Sequence, residues 1–127
     1  MISCAIEMAV DPTGDTIRQF RDDDDGGPVV MLNLLRYAGG AGRASYGEYA
    51  SRVQPFLDAA GAAILYAGEC STPLVATGDR WDGVLVVRYP TRTSFLAMVA
   101  DPDYQEITHL RTVGLEAAVL QATTPWG

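Results

Sequence analysis

The sequence contains no lysine: its 9 basic residues are all arginine, set against 16 Asp and Glu and a single histidine, for a formal net charge of −7. Without a lysine amine, Schiff-base catalysis through the chain is excluded. No basic cluster occurs anywhere, which argues against nucleic acid or anionic lipid as a partner, because both are held chiefly by concentrated positive charge. Cysteine is nearly absent as well. Cys4 and Cys70 stand far apart with no Cys-x-x-Cys spacing, and read as free thiols in a reducing compartment. One histidine with no His-x-His cannot close a zinc site by itself. No run approaches the roughly 18 apolar residues of a membrane-spanning helix, and the first residues lack the basic start and apolar core of a secretory signal. The expectation is a cytoplasmic protein that acts with no metal and no cofactor, away from membrane and nucleic acid.

With 127 residues, 48% of them hydrophobic and 20% charged, the chain has the size and composition of one globular domain with a real core. No linker or internal repeat divides it. Residues 1–27 read as a lead-in segment with a short helix and an acidic turn, and residues 28–124 as the folded core. In the lead-in, Thr13 or Asp15 can cap a helix carrying Ile17 and Phe20. The four carboxylates Asp22 to Asp25 follow. A calcium loop alternates its ligands and ends in glutamate at its twelfth position; this run does neither and reads as a solvated acidic loop.

Pro28 to Tyr37, Pro-Val-Val-Met-Leu-Asn-Leu-Leu-Arg-Tyr, is the longest nearly unbroken apolar run and predicts a strand covered on both faces. Ser45 offers a helix cap, and Tyr46, Tyr49, Val53, Phe56 and Leu57 recur at three- and four-residue spacing up to the stop at Gly61. Ala62 to Cys70 predicts a second strand with Ile64, Tyr66 and Gly68 on one side. The polar reversal Thr77 to Arg80 leads to a valine-rich third strand, Trp81 to Tyr89. Phe95, Leu96, Met98 and Val99 mark a second helix, interrupted at Asp101-Pro102 and continuing through 103–112. Leu115 to Ala122 is the fourth strand. The order strand, helix, strand, strand, helix, strand predicts an α+β, ferredoxin-like fold with an antiparallel sheet. Two helices cover one face of that sheet. A second copy of the chain is the natural cover for the other, which predicts a homodimer.

Several of these segments, taken together, resemble the domain-of-unknown-function 1330 family: Pro28 to Tyr37, Tyr46 and Tyr49, Trp81-Asp82, Val86 to Pro90, and Asp101-Pro102-Asp103-Tyr104 followed by Arg111. The resemblance runs from about residue 28 to about residue 121. It implies a dimeric α+β barrel, a superfamily shared by small monooxygenases, isomerases and haem-degrading enzymes, with ligands bound beneath the sheet. It does not imply one reaction.

Asn33 is the candidate that stands out, because a polar amide within an apolar strand needs a partner, and its donor and acceptor suit a ligand's carbonyl or hydroxyl. Its alternative role is to tie down nearby backbone. Arg88, Tyr89 and Tyr66 are candidate companions in substrate binding. Arg88 within a strand of valines calls for a salt bridge to Glu69 or Asp82, or for an anionic ligand. Trp81 is a packing residue or a pocket wall. His109 is the one side chain with an ordinary pKa near neutrality, so His109, with Glu69, is the candidate for moving a proton; as a lone residue in a polar helical stretch it is equally a surface histidine. Asn33, Trp81 and His109 together are the residue types of the haem-degrading relatives, but the spacing from Trp81 to His109 is too long for that pattern. Gly39 to Gly42 does not form a phosphate loop. The sequence thus predicts a small-molecule-binding protein that transfers a proton on, isomerises or cyclises a small organic metabolite, or binds such a molecule without turnover.

Overall fold

The computed structural model describes residues 10–126, so the thiol expected at Cys4 lies outside the described residues, while Cys70 is a free cysteine. Helix α1 (Gly14–Asp22) starts from Thr13, whose hydroxyl accepts from the Thr16 backbone N–H at 3.2 Å while the Thr16 hydroxyl accepts from the Thr13 N–H at 3.0 Å. This reciprocal box satisfies two of the donors a helix start leaves open. The acidic run then turns the chain: the Asp24 and Asp25 carboxylates accept from the N–H groups of Gly26 and Gly27 at 2.8 and 2.9 Å.

The next elements are β1 (Val29–Tyr37), α2 (Gly42–Ala59), β2 (Ala63–Glu69) and β3 (Gly83–Tyr89). After them come α3 (Arg92–Ala100), two short helices α4 (Pro102–Gln105) and α5 (Thr108–Gly114), and β4 (Leu115–Thr123). The sheet is antiparallel throughout, in the order β2-β3-β1-β4. This is the predicted ferredoxin-like α+β arrangement. The helical stretch predicted for 103–112 is split in two at Glu106–Ile107.

Side chains alternate across β1. Val29, Met31 and Leu35 are almost fully enclosed and form one core with Val87, Tyr89 and the inner faces of α2, α3 and α4. Val30, Leu32 and Leu34 point the other way, opposite Arg88, Val86 and Val84 on β3 and Thr123, Gln121 and Val119 on β4. None of these belongs to the core cluster. The period of two that puts one set of residues inside leaves the other on a face that no described helix covers.

Three local expectations are corrected. Ser45 is not the cap of α2, which begins at Gly42 with no side-chain cap; the Ser45 hydroxyl instead donates to the Leu110 carbonyl at 2.8 Å and ties α2 to α5. Strand β3 starts at Gly83, so Trp81 and Asp82 precede it; Asp82 joins the strand ends by accepting from the Tyr37 N–H at 2.9 Å and donating its own N–H to the Leu35 carbonyl at 2.7 Å. In β2 the register slips between Ile64 and Tyr66, so that Ile64 pairs with core-facing Val87 but Tyr66 pairs with Val86 on the open face. An extra residue at this bulge breaks the parity that had placed Ile64, Tyr66 and Gly68 on one side.

The helical layer is fixed by a close backbone approach. A Cβ on Gly114 would stand 2.9 Å from both the Gly42 carbonyl oxygen and the Tyr46 backbone nitrogen. Only glycine allows the end of α5 and the start of α2 to meet so closely.

Candidate functional site

Between helices and sheet lies a cavity of about 1010 Å³. Its floor is the core face of β1 and β3, including Met31, Asn33, Leu35, Leu85, Val87 and Tyr89. Its roof is the buried stripe Tyr46, Tyr49, Val53 and Leu57 of α2, with Phe95 and Met98 of α3 and Tyr104 of α4. Asp11, Pro12 and Ile17 from the segment around α1, and Arg111 of α5, line it as well. A space of this size and largely apolar character, with a few polar groups, has the makeup of a small-molecule site.

Asn33 sits mid-sheet, between Leu85 of β3 and Leu120 of β4. Its Nδ2 donates to the carbonyls of Met31 and Leu85, both at 3.3 Å, at the long end of hydrogen bonding. Among the described residues no donor meets its Oδ1, and no buried side-chain polar atom is sealed off without a partner. The amide is therefore loosely held on its donor side and open on its acceptor side.

Several of the remaining polar groups that line the cavity are phenols. The hydroxyls of Tyr49 and Tyr104 are 2.9 Å apart, and rings run in edge and tilted contacts from Tyr37 through Tyr46 and Tyr49 to Tyr104 and Phe56, with centroids 5.5 to 6.4 Å apart. Burial pushes the Tyr46 phenol up to about 12, against the pull of the Arg111 charge. Burial likewise holds the Tyr49 and Tyr89 phenols well above their ordinary range, the neighbouring Tyr104 adding to it. All three are protonated near neutral pH, so each can donate a hydrogen bond to a ligand oxygen.

The structure brings three of the sequence-predicted candidates to this space and leaves four elsewhere. Asn33 and Tyr89 line it, and Glu69 stands at its rim, mostly exposed and ion-paired with Arg43 of α2. Arg88 lies on the open face of the sheet, exposed, with no carboxylate partner among the described residues; Glu69 is engaged by Arg43, and an Asp82 oxygen accepts from backbone. The expected internal salt bridge is unnecessary there, because the Arg88 charge remains in solvent. Tyr66 is on the same open face, 58% exposed, with its ring over Gly68. Trp81 lies outside the cavity lining, with the Arg36 guanidinium 5.9 Å from its ring centre. His109 is exposed on α5, its Nδ1 3.1 Å from the Glu106 carbonyl oxygen. Asn33, Trp81 and His109 are not brought together.

Arg111 and the polar role of Tyr46, Tyr49 and Tyr104 were not singled out as site features from sequence. Tyr46 and Tyr49 read there as an apolar helical face. Arg111 shares the inward stripe of Tyr104, Ile107 and Gly114 at three- and four-residue steps, and that spacing was the available signal.

A family model described as a domain of unknown function, DUF1330, matches residues 41–123. No curated protein matches the sequence. Among solved structures, the chain is similar to RPA0582, a protein of unknown function from Rhodopseudomonas palustris, at 29% identity and a TM-score of 0.85, over 93% of this chain and 97% of that one. A dabb family protein with a ferredoxin-like fold from Mesorhizobium loti aligns at 12% identity and a TM-score of 0.58, over 80% of this chain and 99% of its own. SnoaB, a cofactor-independent oxygenase from Streptomyces nogalater, aligns at 13% identity and a TM-score of 0.55, over 80% and 96%. The last two show a shared fold.

Proposed function

The chain belongs to the DUF1330 family, and from that premise we propose that it is a homodimeric enzyme that uses no cofactor and moves a proton on a small, largely apolar organic molecule held beneath the sheet. The observation that carries this reading is the cavity: about 1010 Å³ of largely apolar space, with the Asn33 amide on its floor and protonated tyrosines facing it. Asn33 orients an oxygen of the ligand, and the phenols of Tyr46, Tyr49 and Tyr89 hydrogen-bond to negative charge as it develops there. Glu69, at the rim, is the group that accepts the proton. That a fold neighbour is described as a cofactor-independent oxygenase supports the idea that this architecture tolerates chemistry without a prosthetic group.

The dimer follows from the other face. Val30, Leu32, Leu34, Val86 and Val119 make an aliphatic patch, bordered by exposed Leu65 and Tyr66, of the kind a monomer seldom leaves in water. A second sheet covers it.

A reading without turnover is favoured by one observation. Among the described residues the two carboxylates that reach the cavity, Glu69 and Asp11, are each engaged by an arginine, Arg43 and Arg111. One experiment separates the readings. Flat aromatic ketones and phenols are screened by thermal shift against the wild type and Asn33→Ala, and the binders are incubated with protein and followed by mass spectrometry and proton–deuterium exchange. Binding lost in Asn33→Ala, with exchange or conversion that Glu69→Gln slows at least tenfold, is the expected result. Binding without exchange supports the non-catalytic reading, and binding indifferent to Asn33 removes the site.

A further inference from the structure

Arg111 is buried, with 8% of its surface accessible, yet its only carboxylate partner among the described residues is half in solvent. Among the described residues its hydrogen bonds leave from one nitrogen: Nη1 donates to the Val10 carbonyl at 2.5 Å and to Asp11 Oδ1 at 3.2 Å. Nε and Nη2 have no partner among the described residues. Since no buried side-chain polar atom there is sealed off unsatisfied, these two nitrogens border open space. Arg111 lines the large cavity, and its charge is felt by the Tyr46 and Tyr49 phenols.

The Nε–Nη2 edge of a guanidinium presents two parallel N–H groups at the spacing of the two oxygens of a carboxylate. We propose that this edge of Arg111 is a carboxylate-binding subsite, and that the ligand of the cavity is an aromatic or otherwise flat apolar monocarboxylate. This rests on the cavity being the ligand site. The Nη1 side is already committed to the segment before α1, which fixes the guanidinium plane without using the other edge. Asp11 is itself held by the Thr112 hydroxyl, which lies 3.1 Å from each carboxylate oxygen and donates its one hydrogen to them, so it can stay in place while a ligand binds. The arrangement also sets polarity along the cavity. The carboxylate end lies at Arg111, beside exposed Asp11 and Pro12, and the apolar body runs past Tyr46 and Tyr49 toward Asn33.

The probes are 2-naphthoate and its neutral isostere 2-naphthamide, titrated by calorimetry into the full-length protein. The acid is expected to bind at least tenfold tighter than the amide. Arg111→Gln is expected to erase that preference, and Arg111→Lys to keep part of it. If Arg111→Gln fails to fold, Asp11→Asn decides the matter. Removing the competing negative charge should tighten 2-naphthoate several-fold and leave 2-naphthamide unchanged, whereas a merely structural Asp11 would leave the ratio of the two unchanged. Equal binding of acid and amide, still sensitive to Asn33→Ala, overturns the carboxylate subsite and leaves the cavity reading standing. Binding of neither probe overturns both.

Discussion

The two faces of the sheet are built from the same strands and nearly the same residue types, yet they have opposite characters. Met31 and Leu32 are neighbours in sequence; Met31 is 3% exposed inside the core, and Leu32 lies on the face no described helix covers. The helix-covered face encloses a cavity into which an amide, several phenols and an arginine project. The open face offers aliphatic side chains with exposed Arg88, Tyr66 and Gln121 among them. Composition does not separate a binding face from an assembly face in this sheet. What separates them is whether a helical layer stands far enough off to leave a space lined with polar groups, rather than packing flat.

The covered face depends on the contact between α2 and α5, so the largest effect is expected there. Gly114→Val places a branched side chain against the Gly42 carbonyl and the Tyr46 nitrogen, both backbone atoms that cannot swing away. A loss of about 3 kcal/mol or more in urea unfolding is expected, since overpacking against rigid backbone lies at the costly end of such changes. A loss near zero would mean that the helical layer is not held as described.

Next in size is the contrast between neighbours on β1. Met31→Ala should cost about 2–4 kcal/mol at any protein concentration, because it removes a side chain that is almost fully buried in the core. Leu32→Ala should cost under about 1 kcal/mol in dilute protein, where the partly exposed side chain gives up less buried area than Met31 does. That cost should grow with concentration if a second sheet covers the open face, since subunit binding then adds to stability by mass action. Equal costs for the two variants in dilute solution would erase the distinction between the faces.

How far the sequence reveals these two faces differs from element to element. The alternation of Val29 to Leu35, the stripe Tyr46, Tyr49, Val53 and Leu57, and the strand and helix order are periodic signals, and they led to the ferredoxin-like fold. The family resemblance likewise agrees with the match over residues 41–123, although the first strand, where the resemblance began, lies outside the matched span. The site was less legible. Arg88 among valines reads as a charge that needs a carboxylate or an anionic ligand, but parity alone does not say which face of a sheet is covered. Tyr66 was misplaced because a single-residue register shift leaves no mark in composition. Arg111 was passed over because an arginine among Thr, His and Leu looks solvated until the segment before α1 folds over it.

The buried phenols mark the covered face in a way pH can read. In the unfolded chain each ionises near 10, whereas in the fold Tyr46 holds its proton up to about 12 and Tyr49 and Tyr89 hold theirs beyond that. Below pH 10 both states are protonated, and the stabilisation from these groups is fully present. Between pH 10 and 12 the unfolded chain loses protons that the folded chain keeps, so stability falls as pH rises. The slope is on the order of 1.4 kcal/mol per pH unit for each such tyrosine. Tyr46→Phe should remove one tyrosine's share of that slope, as measured by urea unfolding across this range with phenolate absorbance recorded in parallel. A slope unchanged by Tyr46→Phe would mean that the Tyr46 phenol is solvated like those of the unfolded chain.

The smallest effect is expected at Arg88, and its smallness is informative. Arg88 stands between Val30 of β1 and Ala63 of β2 on the open face, exposed, with no carboxylate partner among the described residues. Its guanidinium therefore stays hydrated, and Arg88→Ala should change stability by no more than about 0.5 kcal/mol in dilute protein. Arg111 has the same side chain on the covered side and makes two hydrogen bonds from a buried position, so its removal should cost several times more. Should Arg88→Ala instead weaken the protein by about 2 kcal/mol or more, and more so as concentration rises, Arg88 would be desolvated against a second subunit. The open face would then owe its specificity to a charge at its margin as well as to its aliphatic centre.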